Sequence, residues 1–421
     1  MVSLGCKVNQ AEAAHLEREL TRLGWSPAEE GQPAALCLLL TCAVTATAGR
    51  QSRQMARRLR QAAPEGLVLA CGCDVQAGPT AYVKDDVAVV GRAELAGLVP
   101  ALAAGWRPAA DAPLALPDSG EFCPGWRAPG PNRTRGLLKV QDGCDAGCAY
   151  CIVPSTRGKP RSLPADDAAV LLRNLAQAGA AEVVLTGIHL GRWGTDLPGG
   201  PGLVDLLRAL LAAHPGPRLR LSSLEGNEAT PELLELMAGE PRLCPHLHLP
   251  LQTGSDALLR AMGRPYGARD YAATLRAAAA ALPGCGLGAD VMVGLPGETE
   301  ADFAATEALI TELPLSYLHV FPYSPRPGTP AASFPNRVPG PLAKARAARL
   351  RRLGEAKRQA WLVGLVGQTL EVILEADGLG RAANYAPVLL DRPLPPGARL
   401  RVVARELVQG PAGLALRGDP A

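Results

Sequence analysis

The octapeptide CDAGCAYC places thiols at Cys144, Cys148 and Cys151, with three and then two residues between them. A closed structural zinc site takes four ligands, and a disulfide framework takes even pairs. An odd trio on one short loop therefore points to a metal centre with one position left open. Thiolates are the ordinary protein ligands of 4Fe–4S clusters, and three of them leave one iron available to a small molecule. A zinc site with a remote fourth ligand and three incidental buried thiols are the competing readings. A second trio, Cys6, Cys42 and Cys73, is dispersed, but each member falls one to three residues beyond an apolar run ("MVSLG", "ALCLLL", "GLVLA"). Helical patterns from about Asn9 to Leu23 and over 50–62 separate these runs, which is the rhythm of a parallel sheet. The C-terminal strand ends of such a sheet gather along one edge, so three thiols distant in sequence can meet there.

A further series of six apolar runs begins near Arg135: "GLLKV", "AEVVLTG", "RLRLSS", "HLHLPL", "LGADVMVG" and "YLHVFPYS". Helical patterns at 165–178, 203–213, 231–239, 255–262, 268–282 and 300–312 separate them. This alternation predicts a partial or full (β/α) barrel with its site at the C-terminal strand ends, and CDAGCAYC follows the first strand directly. Beyond a helix at about 341–362, short alternating runs between Gly/Pro turns predict a small antiparallel barrel. The expected α/β organisation is an open parallel sheet domain over 1–105, a Pro/Gly-rich linker over 106–133, the barrel over 134–362 and the small barrel over 363–421.

A chain of 421 residues suits about three domains. The net charge of +3 does not by itself identify a nucleic-acid partner. Its positive residues cluster in "RQSRQMARRLRQ" and "KARAARLRRLGEAKR", which read either as solvated helix faces or as phosphate contacts. No signal peptide is evident, and no apolar stretch approaches the roughly 20 residues that cross a bilayer. The reading is a cytoplasmic protein without membrane attachment. In a reducing compartment the eleven cysteines are buried thiols, catalytic thiols or metal ligands rather than disulfides. Cys37 and Cys71 lie inside apolar runs and read as core.

The C-x3-C-x2-C spacing with Tyr150 before the last cysteine resembles the signature of radical S-adenosylmethionine enzymes. "SLGCKVNQAEA", "TCAVT" and "GCDVQ" look like the N-terminal blocks of the methylthiotransferases in that superfamily. "QDGCDAGCAYCIVPSTRGKPRS", "VVLTGIHLGRWGTDL", "LPLQTGSDALLRAMGRPY", "GADVMVGLPGETE" and "LHVFPYSPRPGTPAA" resemble further family blocks in the expected order. The last of these, together with "GCKVNQ", resembles the MtaB-type branch, which acts on N6-threonylcarbamoyladenosine beside the tRNA anticodon. The tail from about Gly367 resembles a TRAM module. Leu40, Gly147 and Gly226–Asn227 depart from the pattern without removing a cluster ligand.

The resemblance implies two 4Fe–4S clusters, an auxiliary one on Cys6, Cys42 and Cys73 and a radical-generating one on Cys144, Cys148 and Cys151. It also implies S-adenosylmethionine as both methyl donor and source of a 5′-deoxyadenosyl radical, which abstracts hydrogen from C2 of the adenine. Tyr150, Thr186, Gly187, Glu225, Gln252 and Gly294, at strand ends or beside the trio, are the candidate cofactor-binding residues. A threonylcarbamoyl carboxylate favours an Arg fork, and Arg157, Arg161 and Arg326 are the candidates on expected loops. His189, His246, His248 and His319 read as core or supporting residues rather than iron ligands. The implied partners are the tRNA anticodon loop and an electron donor such as flavodoxin or ferredoxin. The alternatives are the same chemistry on isopentenyladenosine or a ribosomal-protein aspartate, and a non-catalytic iron–sulfur RNA-binding protein.

Overall fold

The run ALCLLL is apolar throughout, and the structure shows why: both faces of its sheet are covered. The computed structural model describes residues 1–29, 32–92, 94–106, 122–130, 134–375, 378–391, 394–411 and 413–421. Strands β1 (Val2–Ser3), β2 (Leu36–Thr41), β3 (Leu67–Gly72) and β4 (Ala88–Val90) pair in parallel and in sequence order. Leu38 and Leu40 pack with Leu16 and Leu20 of the helix Lys7–Arg22, while Leu39 packs with Ala56 of the helix Ala46–Ala62. This is the period-two alternation of a strand buried on both sides.

The central region holds β5 (Gly125–Arg127), β6 (Gly136–Lys139), β7 (Gln141–Asp142), β8 (Arg161–Ser162), β9 (Glu182–Thr186), β10 (Arg218–Leu221), β11 (His246–His248), β12 (Gly286–Val293) and β13 (Tyr317–Pro322). β6, β9 and β10 form one parallel set, and β11, β12 and β13 form another, with a parallel Leu219–Leu243 bridge at the join. The result is a partial barrel whose outer face packs on helices including Ala165–Gln177, Leu203–Ala213 and Ala268–Ala281. The loop between the paired strands β7 and β8 carries all three cysteines of CDAGCAYC.

Part of the expected linker is structured. β5 pairs antiparallel with β6, and Arg18 of the helix Lys7–Arg22 stacks 3.7 Å over the Trp126 ring. A three-residue strand among prolines and glycines leaves no period to detect. Residues 107–121 and 131–133 of that stretch lie outside the described residues.

The C-terminal strands β14 (Thr369–Leu374), β15 (Leu379–Ala382), β16 (Pro387–Leu389), β17 (Arg399–Gly410) and β18 (Gly413–Pro420) close into a barrel. Its pairs are antiparallel except β16 with β18, which is parallel. It docks on the central barrel through Arg218 and Arg220, whose guanidiniums donate to the carbonyls of Glu371, Arg381, Ala382 and Ala383. Glu182 accepts from both arginines, at 2.7 Å from each Nε. Among the described residues no helix is long and apolar enough to cross a membrane.

Candidate active site

Each dispersed cysteine owes its position to a strand end. Cys6 is the N-cap of the helix Lys7–Arg22, Cys42 follows β2, and Cys73 opens the helix Cys73–Ala77 directly after β3. Two glycines make the approach possible. Gly5 has φ of 93°, and a Cβ there would lie 2.7 Å from Cys42 Sγ. Gly72 has φ of 102°, and a Cβ would meet Thr41 O at 2.7 Å. Positive φ with no room for a side chain leaves only glycine. Asn9 clamps the same edge: its Nδ2 donates to Leu4 O at 2.8 Å and Thr41 O at 2.9 Å.

The barrel trio is held by its own loop and by three neighbours. Cys144 N donates to Gly158 O at 2.9 Å, and Ala149 N donates to Met262 O at 3.0 Å. Cys144 Sγ lies 3.3 Å from His189 Nδ1, and the opposite ring nitrogen of that histidine lies 2.7 Å from Glu228 Oε1. Cys148 Sγ accepts from Arg264 Nη1 at 3.4 Å, and Cys151 Sγ accepts from Val153 N at 3.4 Å. Burial pushes the Cys151 thiol up to about 12; the Val153 amide pulls it down, and Cys148 and Cys144 push it further up. Three thiolates gathered on one loop repel one another, and a cationic metal centre would compensate them. All eleven cysteines are free.

The helix Val153–Arg157 meets one cysteine of each trio, Cys151 at its first residue and Cys73 at Arg157. Arg157 donates through Nε to Cys73 Sγ at 3.3 Å, through Nη1 to Asp142 Oδ1 at 2.7 Å and through Nη2 to Asn9 Oδ1 at 2.5 Å. It is one of a buried set of charges joining the N-terminal sheet to the barrel. Arg92 and Lys139 both bind Glu12 and Asp142, at 2.6–2.7 Å. Three cations thus face two carboxylates beside Cys73. A buried excess of positive charge is costly unless an anionic group balances it. A cluster ligated by the thiolates of Cys6, Cys42 and Cys73 would carry net negative charge and would supply that balance. The donor set therefore fits iron–sulfur ligation at both trios.

A cavity of about 330 Å³ opens beside Cys148, lined by His189, Arg192, Glu225, Glu228 and Arg264 among others. Of the residues expected to bind cofactor, Glu225 lines it and accepts from Arg264, which also donates to Tyr150 Oη at 3.2 Å. Thr186 ends β9 and is buried. Gln252 takes φ of 68° at the bridge to Val291. At Gly187 an added Cβ would meet the Gln141 side chain at 2.9 Å, and at Gly294 it would meet Ala343 at 2.8 Å, so both positions are close-packed on that side.

The substrate arginines divide. Arg157 ends a short helix rather than standing on a loop, and its donors are committed internally, so it is not available to a substrate carboxylate. Arg161 lies in β8 and Arg326 on the loop after β13, 3.6 Å from Asp74. Arg264, Glu12, Arg92, Lys139 and Asp142 were not singled out by sequence. Glu12 and Asp142 fall within quoted motifs, but nothing in the spacing marks them as buried partners. His189 supports Cys144 and Glu228. His246 and His248 both lie within 3.1 Å of Tyr317 Oη, and His248 and His319 both contact Asp290.

Arg157→Met should make the auxiliary cluster harder to reduce, because hydrogen bonds to cluster sulfurs and nearby positive charge favour the reduced state. Arg157→Lys should restore part of the shift. A potentiometric titration followed by electron paramagnetic resonance checks this, and an unchanged midpoint in Arg157→Met would refute the tuning role.

A partial parallel barrel with an open cysteine trio after its first strand defines the radical S-adenosylmethionine class of enzymes. Residues 138–310 match the Radical SAM superfamily, and residues 1–91 match Uncharacterized protein family UPF0004. The threonylcarbamoyladenosine tRNA methylthiotransferase MtaB of Rickettsia prowazekii is 33% identical over 93% of this chain and 91% of its own. The tRNA-2-methylthio-N(6)-dimethylallyladenosine synthase of Sorangium cellulosum is 37% identical over 89% of this chain and 81% of its own. The solved structure of the radical S-adenosylmethionine methyltransferase TsrM from Kitasatospora setae shares the fold, with a TM-score of 0.56 at 17% identity over 75% of this chain and 68% of that one. The chain belongs to the radical S-adenosylmethionine tRNA methylthiotransferase family.

Proposed function

We propose that this chain inserts a methylthio group at C2 of N6-threonylcarbamoyladenosine beside the tRNA anticodon. The observation that carries the reading is a pair of cysteine trios that meet opposite ends of one short helix, Cys151 at Val153 and Cys73 at Arg157. When bound, the clusters and S-adenosylmethionine supply the radical and the sulfur-transfer chemistry. Cys144, Cys148 and Cys151 would hold one cluster and Cys6, Cys42 and Cys73 the other. Glu225 and Arg264, beside Cys148, offer an acceptor and a donor to the amino and carboxylate groups of the methionine moiety. Flavodoxin or ferredoxin is the proposed reductant.

Arg326 supports the threonylcarbamoyl substrate. It is 8% exposed at the seam beside the helix Cys73–Ala77, and its Nε has no acceptor among the described residues. A fork with an unused donor suits a substrate carboxylate, and Arg161 is the second candidate. The identity to the Sorangium synthase favours a second reading, dimethylallyladenosine, which would need an apolar contact instead.

The exposed Arg50, Arg57 and Arg58 of the helix Ala46–Ala62 are the proposed phosphate contacts. The second Arg run contributes less, because Arg346 is buried against Glu298 and Glu300. tRNA affinity should therefore fall steeply with salt. The deciding experiment is mass spectrometry of nucleosides from tRNA of a strain lacking the gene. Loss of the methylthio form of threonylcarbamoyladenosine alone is expected, whereas loss of only the dimethylallyl form would transfer the assignment.

A further inference from the structure

A second cavity, of about 280 Å³, lies between the exposed edge of β13, the end of the helix Gly340–Val363 and the C-terminal barrel. Rings of Tyr317, Trp361 and Tyr385 and the guanidiniums of Arg358 and Arg381 line it, and among the described residues no carboxylate does. Arg358 Nε, Trp361 Nε1 and Arg381 Nε are buried donors with no acceptor among the described residues. Buried polar groups are normally satisfied, so three orphan donors around one cavity require an explanation. Arg381 keeps one loose ion contact, to Glu375 at 3.6 Å.

Tyr385 adds a second sign. It is held at φ of 77°, an unusual conformation for a bulky residue. The guanidiniums of Arg135, Arg220 and Arg381 lie 5.7, 5.1 and 4.9 Å from its ring. Such strain persists where the surroundings over-determine it, and it clusters at ligand sites. Above the cavity, His319 and Phe321 present exposed rings on the same face of β13 as Tyr317. The chain then reaches Ser324, whose Oγ accepts from Ala46 N at 3.0 Å, at the head of the Arg-rich helix. A path of exposed rings therefore runs from the cavity towards the cysteine-bearing strand ends.

Donors without acceptors, stacking surfaces and two guanidiniums in the lining suit a planar, acceptor-rich anion. We propose that this cavity binds one unpaired nucleotide of the RNA substrate, distinct from the nucleotide that reacts; this rests on the tRNA reading above. Single-stranded bases are recognised by stacking on aromatic and guanidinium planes.

The test uses the reconstituted enzyme, the double variant Arg358→Gln/Arg381→Gln and the milder Trp361→Phe. A labelled anticodon stem–loop hairpin and adenosine 5′-monophosphate are the two probes, with 5′-deoxyadenosine formed without RNA as the check on folding and clusters. The double variant should bind the hairpin about tenfold more weakly and Trp361→Phe should lose less, both with RNA-free 5′-deoxyadenosine unchanged. The monophosphate should compete with the hairpin at high concentration in the unaltered enzyme. Unchanged hairpin affinity in both variants overturns the cavity assignment while leaving the activity intact. Tight monophosphate binding that the hairpin cannot displace overturns the RNA source in favour of a free nucleotide. If the unaltered enzyme neither binds nor modifies any tRNA, it is the tRNA reading that has failed.

Discussion

Glu12→Gln is expected to destabilise the joined N-terminal sheet and barrel by about 3–5 kcal/mol, the range for removing one partner of a buried ion pair. Glu12 is fully buried and binds Arg92, Lys139 and Arg157. Burial alone would raise its carboxyl, but the three cations overcome this and hold it below the usual carboxylate range. Glutamine keeps the shape and an acceptor oxygen but leaves three cations facing Asp142 alone. The sign of the pH dependence follows from the depressed carboxyl. Its stabilisation is complete above the unfolded value of about 4.3 and is lost as pH falls below it. Denaturant unfolding followed by tryptophan fluorescence at pH 7 and at about pH 3, inside the window between the unfolded value and the folded value of about 2, should show a steep acid limb in the unaltered protein and a shallower one in Glu12→Gln. Equal unfolding midpoints at pH 7 would show that the network adds nothing to stability.

That network marks the boundary of what the sequence makes legible. The dispersed trio was readable because strand alternation places Cys6, Cys42 and Cys73 at one sheet edge, and local spacing alone exposes Cys144, Cys148 and Cys151. Lys139 illustrates the opposite case. It ends the apolar run of β6, where a charge reads as a solvated terminus, yet it is buried by Glu12 from a helix more than a hundred residues away. Arg218 and Arg220 alternate with Leu219 and Leu221: the leucines join the core with the covering helices, and the arginines seat the C-terminal barrel. Charges that pair only through tertiary contact leave no periodic trace. Arg157 was singled out by its residue type and place near a strand end, and only the position of Cys73 and Asn9 shows that its fork is already used.

Substituting one member of each trio should separate two activities that a single shared centre would lose together. Cys148→Ser removes a ligand from the barrel trio, beside the cavity lined by Glu225 and Arg264; it should reduce 5′-deoxyadenosine formation below detection, since an incomplete thiolate set does not hold the cluster. Cys73→Ser leaves that trio whole. It should retain 5′-deoxyadenosine formation while the methylthio product disappears, and iron content should fall from about eight to about four per chain on the count of two 4Fe–4S clusters. Arg157 complicates the second case, because losing the Cys73 thiolate unbalances the buried cations. Cys42→Ser, at a buried cysteine with no hydrogen bond to Arg157 among the described residues, should behave in the same way. Parallel loss of both products in every variant would mean that the trios form one functional unit, and the division of labour assigned to them would fall.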